Sequence, residues 1–347
     1  MAKRAFITGT AGQDGGHLAQ LLHDKGYEVY GTIHGQIEGS HPRFQKLQAE
    51  FPFLHIVSVD ITDLSALTRA VQEIKPDEYY NLAAISHVGY SFKDPILTAD
   101  ITGKGVLNGL EAIRLAGLEK TTRFYQASTS EMFGGLTYNR PEKGYTEESQ
   151  FHPRSPYGVA KLYGHWITRN YRENYGMFAS CGILFNHEGE RRGPEFVTRK
   201  VSQAVARIKL GTQDKLELGN MDAKRDWGYA GDYVEGMWRI LQQDKPGDYV
   251  LATGETHSIR EFCEVAFREI GIELEWKGAG IDEQGVDKTS GKVYITINPD
   301  FFRPAEVDFL LGDPTKAEQE LGWSRKVDFQ GLVKLMVAHD LKLESKQ

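Results

Sequence analysis

Through the first half of the chain, short runs of β-branched and aromatic residues alternate with longer stretches whose apolar positions recur every three or four residues. Arg4–Thr8 reads as a strand, and Gly15–Lys25 as a helix with Leu18, Leu21 and Leu22 on one face. Tyr27–Ile33, Leu54–Val59, Glu78–Ala84, Arg123–Ala127 and Ala179–Phe185 read as further strands. Leu64–Ile74, Gly103–Ala116 and Pro156–Tyr175 read as helices between them. Strands alternating with helices predict βαβ units and a parallel sheet covered on both faces, and right-handed crossovers leave little topological freedom. The expected class is α/β, with a Rossmann-type doubly wound parallel sheet.

After Asn186 the pattern changes. Val197–Leu210, Gly231–Gln242 and Ser258–Ile270 read as helices, with strands at Lys215–Leu218 and Asp248–Ala252. From Glu273 the chain reads as irregular until a last helix near Phe329–Leu341. We expect a smaller C-terminal α/β substrate lobe: residues 1–188 form the dinucleotide-binding part, rejoined by about 225–253, and 189–224 with 254–347 form the lobe. A 347-residue chain that is 40% hydrophobic can fill both cores. A net charge of −7 argues against a broad nucleic-acid or anionic-membrane surface. Two cysteines, Cys181 and Cys263, have neither disulfide-framework nor metal-ligand spacing, and no metal is expected. With no signal-like N-terminal core and no long apolar span, the expected setting is soluble and cytoplasmic.

Three glycines separate the first strand from the first helix, in Thr8-Gly9-Thr10-Ala11-Gly12-Gln13-Asp14-Gly15. A pyrophosphate needs backbone N–H groups at a helix N-terminus and a chain that can turn tightly against it, so this loop is the expected dinucleotide cradle. Asp60-Ile61 follows the third strand, where a carboxylate and its neighbouring N–H can read an adenine edge. Leu82-Ala83-Ala84 follows the fourth, where small residues admit a cofactor. The plainer readings are a helix N-cap for Asp60, with Thr62 and Asp63 competing, and tight packing for the alanines.

Tyr157 and Lys161 stand at i and i+4 on one helix face. A nearby cation lowers a phenol's pKa, which would make Tyr157 a base for a sugar or alcohol hydroxyl. Ser128-Thr129-Ser130-Glu131 follows the fifth strand, at the end of the sheet where such folds bind ligands. Thr129 can hydrogen-bond a substrate oxygen beside Tyr157. Glu131 is the informative residue: hydride transfer needs no second carboxylate, and an elimination does. Without a ligand, the same residues would be turn formers and a solvated charge.

These residues together resemble the extended short-chain dehydrogenases and, within them, the GDP-mannose 4,6-dehydratase family, over nearly the whole length. Asn81-Leu82-Ala83-Ala84 and Leu218-Gly219-Asn220 are shared with the wider superfamily. Ile183-Leu184-Phe185-Asn186-His187-Glu188, Phe196-Val197-Thr198-Arg199-Lys200, Ala223-Lys224-Arg225-Asp226-Trp227 and Arg303-Pro304-Ala305-Glu306-Val307-Asp308 resemble the dehydratase group itself. The resemblance implies an NAD(P)-dependent hydro-lyase turning GDP-mannose, or a related GDP-sugar, into its 4-keto-6-deoxy form. Tyr157, with Lys161 and Thr129, would take the O4 proton as hydride leaves C4. Glu131 would take the C5 proton and help C6 lose water, and hydride would return to C6. His187 would join the cofactor site and Ser86 the hexose. Asn186, Glu188, Lys200, Arg225, Arg303 and Glu306 would hold the nucleotide sugar, with Arg192 a further cation for the diphosphate. Pairing through helices Gly103–Ala116 and Pro156–Tyr175 implies a homodimer or homotetramer.

The sequence departs from the family's pattern at three places. Where two arginines usually hold the 2′-phosphate of NADP, it reads His34-Gly35, followed by a shorter loop, so NADP is favoured over NAD on resemblance alone, with Arg43 as a substitute cation. Ile85 replaces a customary polar residue, and Gly189-Glu190 alters the loop after Glu188, near where the sugar would sit; a GDP-heptose or GDP-N-acetylhexosamine is the alternative substrate. Rival readings are a nucleotide-sugar 4-epimerase or 4-keto-sugar reductase on the same scaffold, against which Glu131 speaks. A non-catalytic NAD(P)-sensing protein is a third, against which the intact Tyr157 and Lys161 speak.

Overall fold

The computed structural model describes residues 2–34, 41–135, 141–301, 307 and 309–346. Seven parallel strands, Arg4–Thr8 (β1), Glu28–Ile33 (β2), His55–Ser58 (β3), Glu78–Asn81 (β4), Arg123–Thr129 (β5), Ala179–Leu184 (β6) and Asp248–Leu251 (β7), form one sheet in the order β7-β6-β5-β4-β1-β2-β3. The chain builds outward from β1 in one direction and then restarts at β4 in the other. The crevice between β1 and β4 is therefore the topological switch point, where doubly wound sheets bind ligands.

Burial on both faces explains why the central strands read as nearly continuous apolar runs. Leu18, Ala19 and Leu22 of the helix Gln13–Asp24 (α1) pack one face together with Tyr233, Met237 and Ile240 of Ala230–Leu241. Leu64–Ile74 (α2) and Gly105–Leu115 (α3) cover the other, packing Leu67, Val71, Leu110 and Ile113 against Phe6, Tyr79 and Phe124. Beside α3 runs the 20-residue helix Pro156–Tyr175 (α4). Its ends follow from local chemistry. The Ser155 hydroxyl accepts from Gly158 N, Pro156 begins the first turn, and Gly176 adopts the left-handed conformation beyond the last.

A second core lies between the helices Val197–Leu210, Ile259–Arg268 and Phe329–Glu344 and a four-stranded sheet. Here the expectation of irregular chain after Glu273 is corrected. Leu274–Lys277, Gln284–Asp287 and Val293–Ile297 form an antiparallel meander whose last strand pairs in parallel with Leu216–Leu218. Gly278, Gly280 and Gly291 make the turns at positive φ and break the apolar spacing that marks longer strands. The sequence pattern also gives no sign of the helix Pro42–Glu50, in which only Leu47 is buried. Among the described residues, no helix is long and apolar enough to cross a membrane.

Candidate active site

The carboxyl ends of the central strands open on a cavity of about 2130 Å³ that runs on to the second core. All the candidate residues named above that the structure describes line it. Gly35, Arg303 and Glu306 fall outside the described residues.

At the switch point the glycine loop meets the end of β4 backbone to backbone. Gly9 has φ +76°, and a Cβ there would stand 2.8 Å from Ala83 N. The Thr8 hydroxyl clasps both sides, accepting from Leu82 N at 3.1 Å and Ala83 N at 3.2 Å and donating to Asn81 Oδ1 at 2.9 Å. Gly15 brings α1 onto the loop, since a Cβ there would lie 2.4 Å from Gly9 O. Gly12 begins α1 with no side-chain cap, so no hydroxyl or carboxylate competes for the first N–H groups. This cradle fits a pyrophosphate. At its far end, Asp60 Oδ1 accepts from Thr62 N and Thr62 Oγ1, both at 2.8 Å, while the α2 N-cap is Asp63. Burial pushes the Asp60 carboxyl upward, but these bonds outweigh it and hold it below its usual value. His34 Nδ1 lies 3.8 Å from Asp60 Oδ2.

Asp14 and His187 form one unit rather than two separate cofactor contacts. His187 Nε2 lies 2.8 Å from Asp14 Oδ2, its Nδ1 is 2.7 Å from Phe185 O, and the ring stacks on Tyr233 at 4.7 Å. Gln13 Nε2 donates to Asp14 Oδ1 and to His187 O, both at 3.0 Å. Burial disfavours both charges, yet their attraction prevails: Asp14 is held low and His187 high. The pair ties the glycine loop to the segment after β6.

At the reacting end, Thr129 closes β5 and lines the same cavity as Tyr157, near enough to draw its phenol's pKa downward. Lys161 donates to Ala127 O at 2.7 Å, and its nitrogen stands 5.8 Å from the Tyr157 ring centre. The expectation that Lys161 lowers the phenol's pKa is corrected by this geometry. Burial, joined by the nearby charge of Glu131, holds Tyr157 above its usual value, and Thr129 only partly offsets it. Burial also depresses Lys161, to about 8. Glu131 is half-buried in the turn after Thr129, whose hydroxyl accepts from Glu131 N at 3.3 Å. Behind them, Ser128 Oγ lies 3.0 Å from His165 Nδ1.

At the other end, Asn186–Glu188 pairs in parallel with Trp227–Tyr229. Glu188 is buried and already engaged, accepting from Thr198 Oγ1 at 2.5 Å and facing Arg192 Nε at 2.9 Å. Arg192 also lies 3.5 Å over the Phe196 ring. Lys200 Nζ stands 3.8 Å over Phe301, and burial lowers its pKa. Arg225 is 8% exposed at the cavity wall, and Ser86 is exposed within it. Sequence reasoning missed Arg191, which lies where a Cβ of Gly16 would be and pairs with Glu50. The Arg191-Arg192 doublet was the available signal; its partner, 141 residues away, was not.

Tyr157 and Lys161 on one helix, facing a glycine loop at the sheet's switch point, place the chain among the extended short-chain dehydrogenases. Its fold agrees with solved members of wider function. A structure of RMD from Pseudomonas aeruginosa complexed with NADPH superposes with a TM-score of 0.77 at 22% identity, covering 99% of this chain and 100% of that one. A dTDP-glucose 4,6-dehydratase from Bacillus anthracis in complex with NAD does so at 0.78 and 20%, covering 99% and 98%. In sequence the chain belongs to the GDP-mannose 4,6-dehydratase family, whose profile, described as "GDP-mannose 4,6 dehydratase", matches residues 6–336. A GDP-mannose 4,6-dehydratase of Vibrio cholerae is 50% identical over 360 residues, spanning 99% of this chain and 95% of the relative.

Proposed function

We propose that the protein converts GDP-mannose, or a closely related GDP-sugar, to its 4-keto-6-deoxy derivative with loss of water. The observation that carries this reading is Glu131, a carboxylate in the same cavity as Thr129, Tyr157 and Lys161. When bound in the glycine-loop cradle, a nicotinamide dinucleotide supplies the hydride exchange at sugar C4 and C6 and ends the cycle unchanged. The chain's own groups move the protons. Tyr157 takes the O4 proton, with Thr129 orienting the phenol and the Lys161 ammonium on the same helix face beside it. A C4 ketone acidifies the neighbouring C5–H, which Glu131 removes. The same proton leaves with the C6 hydroxyl as water, and a proton returns to C5 at the end. Asn186, Lys200, Arg225, Arg303 and Glu306 hold the nucleotide and its diphosphate, and Ser86 the hexose. Glu188 acts by holding Arg192, and the Asp14–His187 pair by holding the glycine loop.

We assign NADP as the cofactor. No carboxylate ends β2 at the described position His34, and Arg43 and Lys46 line the cavity on the same helix face at i and i+3. Among the described residues neither has an anionic partner. The second core is read as the substrate lobe, with residues 189–224 and 254–347 contributing it and 1–188 and about 225–253 the dinucleotide part. Val159 (56% exposed), Tyr163 (45%) and Trp166 (50%) on α4 leave an apolar face that pairs with a second copy. A cytoplasmic setting fits Cys181 and Cys263, both unpaired and buried.

The test is a panel of GDP-, UDP-, dTDP- and CDP-hexoses with products read by mass spectrometry. The expected result is loss of one water from GDP-mannose or a near relative only. An isobaric product means epimerisation, and cofactor binding without turnover means a sensor; either overturns the reading.

A further inference from the structure

We propose that Asp226 is a positioning residue for the nucleotide sugar: its carboxylate fastens the strand that carries Arg225 to the end of β7 and so holds the guanidinium at the cavity wall. The inference rests on the reading above, in which Arg225 binds the diphosphate. Arg225 belongs to a strand of only two residues, Lys224–Arg225, paired with two others as short, His257–Ser258 and Phe309–Leu310. Such strands have too few ladder bonds to fix their own place. The next residue supplies what they lack. Asp226 is fully buried, and its Oδ1 accepts from Thr253 N at 2.8 Å and Thr253 Oγ1 at 2.7 Å. Its Oδ2 accepts from Gly254 N and Gly312 N, both at 3.2 Å, and its own N–H donates to Leu310 O at 3.1 Å.

One side chain thus joins the Arg225 strand, the segment after β7 and the segment after Phe309–Leu310. That junction has no slack, since a Cβ on Gly312 would lie 2.3 Å from Ala252 Cβ and 2.7 Å from Phe185 Cε2. Among the described residues no lysine or arginine pairs with Asp226, and burial raises its pKa to about 6 despite the four donors. Stability alone favours an apolar residue at such a place. A carboxylate retained there is explained by its geometry: four acceptances from two segments, which it ties to the strand of Arg225.

Asp226→Asn tests this with the holoenzyme. The amide oxygen can keep the Thr253 bonds, but the NH2 group then faces the N–H groups of Gly254 and Gly312. The expected result is a KM for GDP-mannose raised ~10-fold, with kcat and bound nicotinamide close to the parent's. An unchanged KM overturns the proposal. So does a parallel loss of KM, kcat and bound nicotinamide, which marks a purely structural role. If Asp226→Asn does not fold, Thr253→Val removes one of the four donors to Asp226, together with the hydroxyl's weaker bonds to the Glu255 backbone, and the expected KM rise is ~3-fold; no rise overturns the proposal. Arg225→Met separates the two claims. A raised KM there with an unchanged Asp226→Asn refutes the positioning role alone, whereas a parental KM in Arg225→Met refutes the diphosphate reading on which it rests.

Discussion

Replacing Gly15 with alanine should cripple dinucleotide binding while adding a single methyl group. That methyl would lie 2.4 Å from Gly9 O, 2.6 Å from Thr10 Cα and 2.9 Å from Thr10 C, where ordinary contact starts at 3.4 Å. All three neighbours are main-chain atoms, so none can rotate away, and the loop must separate from α1 by about 1 Å. Overpacking of this kind costs ~1–3 kcal/mol. The displacement falls on the N–H groups meant for the pyrophosphate, and there is little room behind them, since even a Cβ on Gly9 would stand 2.8 Å from Ala83 N. If the whole cost is expressed in binding, the dissociation constant for NADPH rises ~5- to 150-fold. Gly12→Ala is the graded comparison: its methyl meets only Gly9 O, at 3.2 Å, and a shift of a few tenths of an ångström accommodates it. Titration calorimetry of the cofactor-free protein with NADPH reads both. Parental affinity in Gly15→Ala, or a larger loss in Gly12→Ala, refutes the argument that backbone contact shapes the cradle.

Glu131→Gln should lower turnover ~10²- to 10⁴-fold while reduced cofactor still builds up transiently. Tyr157→Phe should give neither reduced cofactor nor product. Stopped-flow absorbance at the nicotinamide band separates the two, and parental turnover in Glu131→Gln would make that residue a surface charge. Lys161 loses its charge as the pH rises through about 8, below its ordinary value, because burial favours the neutral amine. Rates should therefore fall above that pH, and a profile flat across it would exclude the ammonium from the chemistry. Val159→Asp places a charge on the apolar face of α4 and should yield monomers by light scattering; an unchanged mass would move the interface elsewhere.

The doubly wound half was legible because its signals are local. β-Branched runs mark strands, leucines at helical spacing mark α1 and α2, and glycines mark the turn between them. Pro42–Glu50 was not legible, since a helix that buries one leucine leaves no stripe. The meander after Glu273 hid behind its turn glycines, although Val293-Tyr294-Ile295-Thr296-Ile297 does carry β-forming residues. Tyr157 and Lys161 were recognised as neighbours from their spacing, but the direction of the phenol's shift was not. That direction depends on how deeply the ring is buried and on where the ammonium points, and neither is written in a spacing of four. Asp14 and His187 lie 173 residues apart, so their pairing is visible only once the sheet has formed.

The second core is assembled from distant stretches of chain, which bears on how the protein is made. Ser202 Oγ donates to Asp340 Oδ2 at 2.6 Å across 138 positions, and Asp340 also takes the buried Arg199 guanidinium at 2.7 Å. On a ribosome adding ~5–20 residues per second, Val197–Leu210 emerges on the order of ten seconds before its packing partner Phe329–Glu344 has been synthesised. Throughout that interval Val201, Val205 and Ile208 lack the part of their cover that Phe329–Glu344 supplies. The sheet half, complete much earlier apart from β7 and the covering helix Ala230–Leu241, can fold ahead of that last helix. The nascent chain therefore carries a folded amino-terminal half beside a sticky, unfinished helix, the kind of surface that holding chaperones engage.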